Sequence, residues 1–295
     1  MTVEFPASAL LAPALAIFAG ALFGLVVHVQ RRGLDNADPL AGAFLSVLSM
    51  AGFFWILSPA FIELHWFASH AVLIFALGGL FFPAAAQTFQ IYSIRRAGPA
   101  MTATVGSFTP FFAVIPAVLF LGEAFGLQLA AGMALMTVGL ILTALPTRRI
   151  PRSWPLWAIF LPLGSALVRG LAQPITKTGL NEIPSAFLAT LVFGSVSSLV
   201  LALLIVATGR VGRVRQAGAG MKWFALSGVM NGCGILCLNT AIGIGSVTVA
   251  APLASMSPLW TLMFGLTIFR NEKLTPRHFV VALLVVGGAL LIITR

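Results

Sequence analysis

The sequence predicts an all-α, polytopic membrane protein: ten transmembrane helices in two inverted five-helix repeats, residues 1–147 and 148–295, around a central cavity. Three observations lead to this fold. The 295 residues are 59% apolar and only 8% charged, against roughly a quarter charged in an ordinary soluble domain, so lipid must solvate most of the chain. Apolar stretches of about 20 residues, enough to cross about 30 Å of hydrocarbon, recur from one end to the other. Short motifs of the first half also recur in the second. Runs this long satisfy their backbone groups as helices, whereas an outer-membrane barrel would show alternating strands of about ten residues.

The spans fall near 9–29, 39–58, 70–92, 98–120, 127–145, 155–176, 186–208, 221–242, 246–269 and 276–293. The first starts without a basic n-region and outruns the apolar stretch of a cleaved signal peptide, so it reads as a retained span. The eighth carries both cysteines, Cys233 and Cys237. Two thiols four residues apart suit neither a disulfide framework nor a paired-cysteine zinc site, and packing is their default role. The connections are short and rich in turn residues, as at 31–36, 146–155 and 209–220, which leaves no room for a separate soluble domain.

Arg and Lys on these connections set the orientation. Those after spans 1, 3, 5, 7 and 9 hold fourteen: Arg31, Arg32, Arg95, Arg96, Arg148, Arg149, Arg152, Arg210, Arg213, Arg215, Lys222, Arg270, Lys273 and Arg277. The opposite side holds Lys177 and Arg295. The positive-inside rule then makes the odd-numbered connections cytoplasmic and both termini periplasmic, in a bacterial inner membrane. The net charge of +10 is thereby a matter of topology, and no soluble basic domain offers a surface for nucleic acid.

The repeat emerges when Pro110 is laid on Pro258. Ser107-Phe108-Thr109-Pro110 then matches Ser255-Met256-Ser257-Pro258, and with one extra residue Glu123 meets Glu272 and Gly139 meets Gly288. Earlier in each half, Arg31-Arg32-Gly33-Leu34 matches Lys177-Thr178-Gly179-Leu180, and Ala43-Phe44-Leu45 matches Ala186-Phe187-Leu188. Five spans per half is an odd number, so the second copy enters the membrane upside down. That is the architecture of many secondary transporters, with substrate near the midplane between the halves.

Longer stretches carry a family resemblance. Tyr92-Ser93-Ile94-Arg95-Arg96-Ala97-Gly98-Pro99-Ala100, running into Ser107-Phe108-Thr109-Pro110 and closing with Leu121-Gly122-Glu123, has a second copy. It is Asn239-Thr240-Ala241-Ile242-Gly243-Ile244-Gly245-Ser246, running into Ser255-Met256-Ser257-Pro258 and closing with Asn271-Glu272-Lys273. Over nearly the whole chain the sequence resembles the EamA-type branch of the drug/metabolite transporter superfamily. The resemblance implies a ten-helix basket whose cavity is lined mainly by helices 1, 3, 4, 6, 8 and 9, with 5 and 10 at the periphery. It also implies export or exchange of small metabolites such as amino acids. Typical members carry bases after span 2 and at both termini, whereas residues 56–68 here hold no Lys or Arg and the first connection holds two. The charge count therefore opposes the family's usual orientation.

Arg169 is the one Lys or Arg well inside a span, where a cation costs about 2.5–3.5 kcal/mol. Ser165, Arg169, Gln173 and Lys177 follow at four-residue spacing and so share one side of a helix. Either this stripe faces the cavity and the guanidinium grips a carboxylate on the substrate, or Arg169 snorkels or bonds carbonyls exposed by Pro162 and Pro174. His28 puts a polar, titratable group at a depth corresponding to Gln173, suited to proton coupling or to an interfacial hydrogen bond. Gln87, Gln90 and Tyr92 on helix 3, with Asn231 and Asn239 on helix 8, must bond to neighbouring helices or to a ligand. Ser107 and Thr109 with Pro110, and Ser255 and Ser257 with Pro258, put hydroxyls beside mid-span kinks that free the carbonyls of Gly106 and Ala254. Trp260 offers an aromatic wall or ordinary packing. Glu123 and Glu272 are expected to cap the following helix or pair with a base. Gly20 with Gly24, and Gly228 with Gly232, permit close helix approach.

No Asp or Glu lies inside a span, so a carboxylate proton relay is unsupported, while a facilitator, an exchanger and His-based coupling stay open. The expected partners are a small-molecule metabolite and the bilayer, with monomer and homodimer both open and no cofactor or metal implied. An integral membrane enzyme is the main rival, but the Gly-x-Ser-x-Gly, His-Glu-x-x-His and phosphate-loop signatures are missing. A passive channel or scaffold is the second rival.

Overall fold

The computed structural model describes residues 7–35, 37–144, 156–269 and 275–294. In chain order the helices are α1 (Ala7–Leu34), α2 (Pro39–Phe61), α3 (His70–Gly79), α4 (Ala84–Gly106), α5 (Thr109–Leu121), α6 (Leu127–Ala144), α7 (Phe160–Glu182), α8 (Ala186–Ala207), α9 (Val211–Arg215), α10 (Gly220–Ile244), α11 (Val247–Ala254), α12 (Ser257–Thr267) and α13 (Pro276–Ile293). Among the described residues, eight helical stretches are long and apolar enough to cross a membrane, and two more, Thr109–Leu121 and Leu127–Leu142, are apolar but shorter. The connection 146–155 and the residues Asn36, Arg148, Arg149, Arg152, Arg270, Asn271, Glu272, Lys273 and Arg295 lie outside the described residues.

Three expected spans are broken. The helix expected over 70–92 stops at Gly79 and restarts at Ala84, because Pro83 has no N–H to continue the ladder and its ring clashes with the preceding turn. From there α4 runs on through Arg95 and Arg96, where a connection was expected, and turns only at Gly98, whose φ of 84° suits a residue without Cβ. The two mid-span prolines do not kink a continuous helix. Pro110 and Pro258 stand in the first turns of α5 and α12, where the missing N–H would be unpaired in any case. The Gly106 carbonyl, expected to be free, accepts the Thr109 hydroxyl at 2.7 Å.

Packing interleaves the two halves of the chain. α1 lies against α10 and α12, α2 against α8 and α10, α7 against α4 and α5, and α6 against α13. Glycines permit the closest approaches. A Cβ on Gly24 would stand 2.8 Å from both Ser257 O and Trp260 Cβ, and one on Gly170 would stand 2.5 Å from Phe112 Cβ and 2.8 Å from Thr109 O. Gly33 faces the Phe224 ring as Gly179 faces that of Phe75. Hydroxyls join the same surfaces, with Ser46 Oγ donating to Phe224 O at 3.1 Å and lying 2.9 Å from Ser227 Oγ. Between lipid-solvated helices such close packing and polar bonds replace the hydrophobic drive of a soluble core.

Candidate substrate cavity

α1, α4, α5, α7, α10, α11 and α12 surround an open cavity. Its walls are apolar where Phe23, Val26, Phe82, Ile235 and Leu238 face inward, and polar where Gln90, Arg169, Gln173, Asn231, Asn239 and Ser255 do. None of the lining residues is Asp or Glu.

The four-residue stripe on α7 divides by task. Its ends hold helices together: Ser165 Oγ donates to Ala86 O at 2.9 Å, and Lys177 Nζ donates to the carbonyls of Ile242 and Gly245 at 2.8 Å each. Arg169 and Gln173 line the cavity, and Ser165 does so too. Arg169 Nη2 donates to Gln90 Oε1 at 2.6 Å and more weakly to Gln87 Oε1 at 3.4 Å, with the Phe23 ring 5.8 Å from Cζ. Gln90 is held in turn, its Nε2 donating to Gln30 Oε1 at 3.0 Å. One strong charge-assisted bond at about 1.5–3 kcal/mol and a ring contact of about 0.5–2 kcal/mol together match the cost of keeping a guanidinium at this depth. They leave its charge uncancelled, and both Arg169 Nε and Gln173 Oε1 are buried without a hydrogen-bond partner.

The remaining expected residues separate into two groups. Asn231, Asn239 and Ser255 line the cavity with Gln90. Asn239 Nδ2 also donates to Thr190 Oγ1 at 3.0 Å, and Ser255 Oγ to Ala251 O at 2.8 Å. Gln87 and Ser107 are buried, the latter at the α4–α5 break, and neither is among the lining residues. His28, Tyr92 and Trp260 are not among the lining residues. His28 Nε2 donates to Thr261 O at 2.8 Å while its ring stacks on Phe269, so it fastens α1 to α12. Tyr92 packs with the second core cluster around Leu40 and Phe224, and its hydroxyl accepts from Arg210 Nη1 at 3.0 Å. That bond, with the Asp38 carboxylate 3.5 Å away, holds the Arg210 guanidinium above its ordinary value. Trp260 stacks on Phe264 beside Gly24.

Glu123 corrects one expectation. It caps α11 rather than α6, the helix that follows it: its two carboxylate oxygens accept the N–H groups of Val247 and Thr248, both at 2.8 Å, and among the described residues no base pairs with it. Gln30 and Phe23 join the site without a local signal in the sequence. Gln30 stands next to Arg31 at the end of a predicted span and looks like a flanking polar residue, and nothing in an apolar run marks which Phe meets a cation.

The EamA-like transporter family model matches residues 10–145 and 156–294. A Sinorhizobium protein described as an uncharacterized transporter in the cobO 3′ region is 32% identical over 143 residues, which cover 48% of this chain and 96% of that protein. A solved crystal structure at 15% identity superposes with a TM-score of 0.75 over 95% of this chain and 97% of its own, and shows the same fold. With its apolar helices and matches over both halves, the chain belongs to the EamA-like transporter family and is a multi-pass helical membrane transporter.

Proposed function

We propose that this protein is a secondary carrier of small organic metabolites bearing an anionic group, with carboxylates such as amino acids as the leading class. The observation that carries this is the Arg169 guanidinium, which lines the cavity with no carboxylate among the lining residues and with its Nε unbonded. An arginine stays charged at any accessible pH. A solute carboxylate at about 4 Å would interact by about 4 kcal/mol at the effective dielectric of a partly hydrated site. Gln173, with an unpaired amide oxygen one turn along α7, and Asn231 and Asn239 across the cavity are proposed to orient the rest of the solute.

We propose further that ten spans form two inverted repeats and that transport runs by alternating access, with efflux as its direction. The matched motifs support this reading, and so do the matched contacts. Gly24 against Ser257 and Trp260 has its counterpart in Gly170 against Thr109 and Phe112, and Gly33 against Phe224 in Gly179 against Phe75. Paired surfaces of this kind suit two interconverting packings better than a static scaffold or an enzyme. The charge bias supports an inner-membrane orientation with odd-numbered connections cytoplasmic and both termini periplasmic.

The test is a ligand-dependent thermal shift of the purified protein across amino acids, their amides and decarboxylated amines. Stabilisation by carboxylates that disappears in Arg169→Gln is expected. Equal stabilisation by amides and amines, or an unchanged response in the variant, would retire the role of Arg169.

A further inference from the structure

Fourteen of the Lys and Arg residues belong to the odd-numbered connections, and Lys177 breaks that pattern. Its ammonium is half-buried and bonded to backbone. Nζ lies 2.8 Å from Ile242 O, 3.3 Å from Gly243 O and 2.8 Å from Gly245 O, the carbonyls at the C-terminal end of α10. Two residues further along, Glu123 accepts the first two amides of α11 through both carboxylate oxygens. A cation thus sits on the negative end of one helix and an anion on the positive end of the next, each the favourable sign for its helix dipole. The two groups arrive from elsewhere in the chain, Lys177 from α7 and Glu123 from the α5–α6 connection. Between them they pin a short junction, Gly245-Ser246, that joins two cavity-lining helices.

The cavity is off-centre with respect to this clasp. Along α7 its lining runs from Pro162, two residues inside the helix start at Phe160, to Thr176, six residues short of the end at Glu182. Those six residues span about 9 Å. Lys177 directly follows the last lining residue of α7, and Ile242 lies three residues beyond Asn239, the last on α10. The α10–α11 junction is also pressed onto α1, since a Cβ on Gly245 would stand 2.9 Å from Ala12 Cβ.

We propose that Lys177 and Glu123 are positioning residues of a gate: together they hold the α10–α11 junction over one end of the cavity and keep that end shut. Releasing the junction lets α10 and α11 part from α7 and admits water at Thr176. Charge-assisted bonds suit this task because they are stronger than neutral ones and are readily exchanged for water once the junction lifts.

The gate takes its purpose from the carrier reading, but its test needs no substrate, so a failure to find transported solutes leaves it measurable. In a Cys233→Ser, Cys237→Ser background reconstituted in liposomes, a Thr176→Cys thiol reports access from the clasp side to a membrane-impermeant maleimide. Thr102→Cys, which replaces a lining residue four positions beyond Gly98, reports access from the other side. Combining Lys177→Met with Glu123→Gln should speed labelling at position 176 by about tenfold or more, as loss of several charge-assisted bonds implies, while labelling at 102 does not rise. Lys177→Arg, which keeps a cationic donor, should label within about threefold of the parent. Unchanged labelling at 176 would reduce the pair to a helix cap, and faster labelling at both positions would mean a loosened bundle; either result overturns the gate. If the double variant does not fold, Glu123→Gln alone carries the same two readings.

Discussion

At the scale of single residues, the cavity is built around a cation whose surroundings hold it without cancelling it. Gln90 fixes the Arg169 guanidinium, Gln30 fixes Gln90, and none of the described lining residues is an acid. Truncating one partner of a buried charge pair costs about 2–5 kcal/mol, so Arg169→Gln is expected to weaken binding of a carboxylate solute by roughly 30-fold or more. Isothermal titration with the best ligand of the thermal-shift panel checks this, and Arg169→Lys should fall between, since it keeps the charge and loses the planar fork. A structural prediction concerns Asp38, whose carboxylate accepts Leu40 N at 3.1 Å and Ala41 N at 3.4 Å and faces Arg210. Asp38→Ala removes the cap of α2 and should lower stability by about 1 kcal/mol in a denaturant titration. Arg169 was legible in the sequence because a lone base inside an apolar run needs an explanation. Gln30, Phe23 and the partners of Lys177 were not, because their roles come from residues 60 or more positions away that no local pattern brings together.

At the scale of elements, the helices were legible as apolar runs, and their ends less so. α8 and α13 begin and end within about a residue of expectation, since Ser185 and Thr275 cap them and Pro276 starts the latter. The breaks at 80–83, before Thr109 and before Ser257 were read as continuous or kinked helix. In lipid a proline inside an apolar run leaves the hydropathy signal intact, and only the backbone reveals whether it bends a helix or opens a new one. The glycine contacts give a paired prediction. Gly24→Leu and Gly170→Leu each push a side chain into the backbone and side chains of another helix at under 3 Å. Overpacking costs about 1–3 kcal/mol, so both should lower the melting temperature, and by similar amounts if the two sites are equivalent. Gly52, whose Cβ would meet nothing within 4 Å, is the control, and Gly52→Leu should melt with the parent. A large loss at only one of the two glycines would count against their equivalence.

At the scale of the whole molecule, the charge bias and the family's usual orientation point opposite ways. Lys177 sharpens the conflict, because its ammonium is committed to backbone carbonyls and so adds little to the vote for its side. A reporter active only in the periplasm, fused to the C-terminus, is expected to be active, whereas activity of a cytoplasmic reporter there would reverse the orientation. The polytopic helical fold was legible from composition and length. The cavity's chemistry was legible only in part, because an apolar wall and a lipid-facing surface use the same residues.

Counterflow in proteoliposomes separates a carrier that uses Arg169 from a pore. Proteoliposomes preloaded with an unlabelled amino or other carboxylic acid should take up the labelled solute saturably, and Arg169→Gln should abolish that exchange while the protein stays folded. Ohmic, unsaturable current, or exchange that survives the loss of Arg169, would contradict the account.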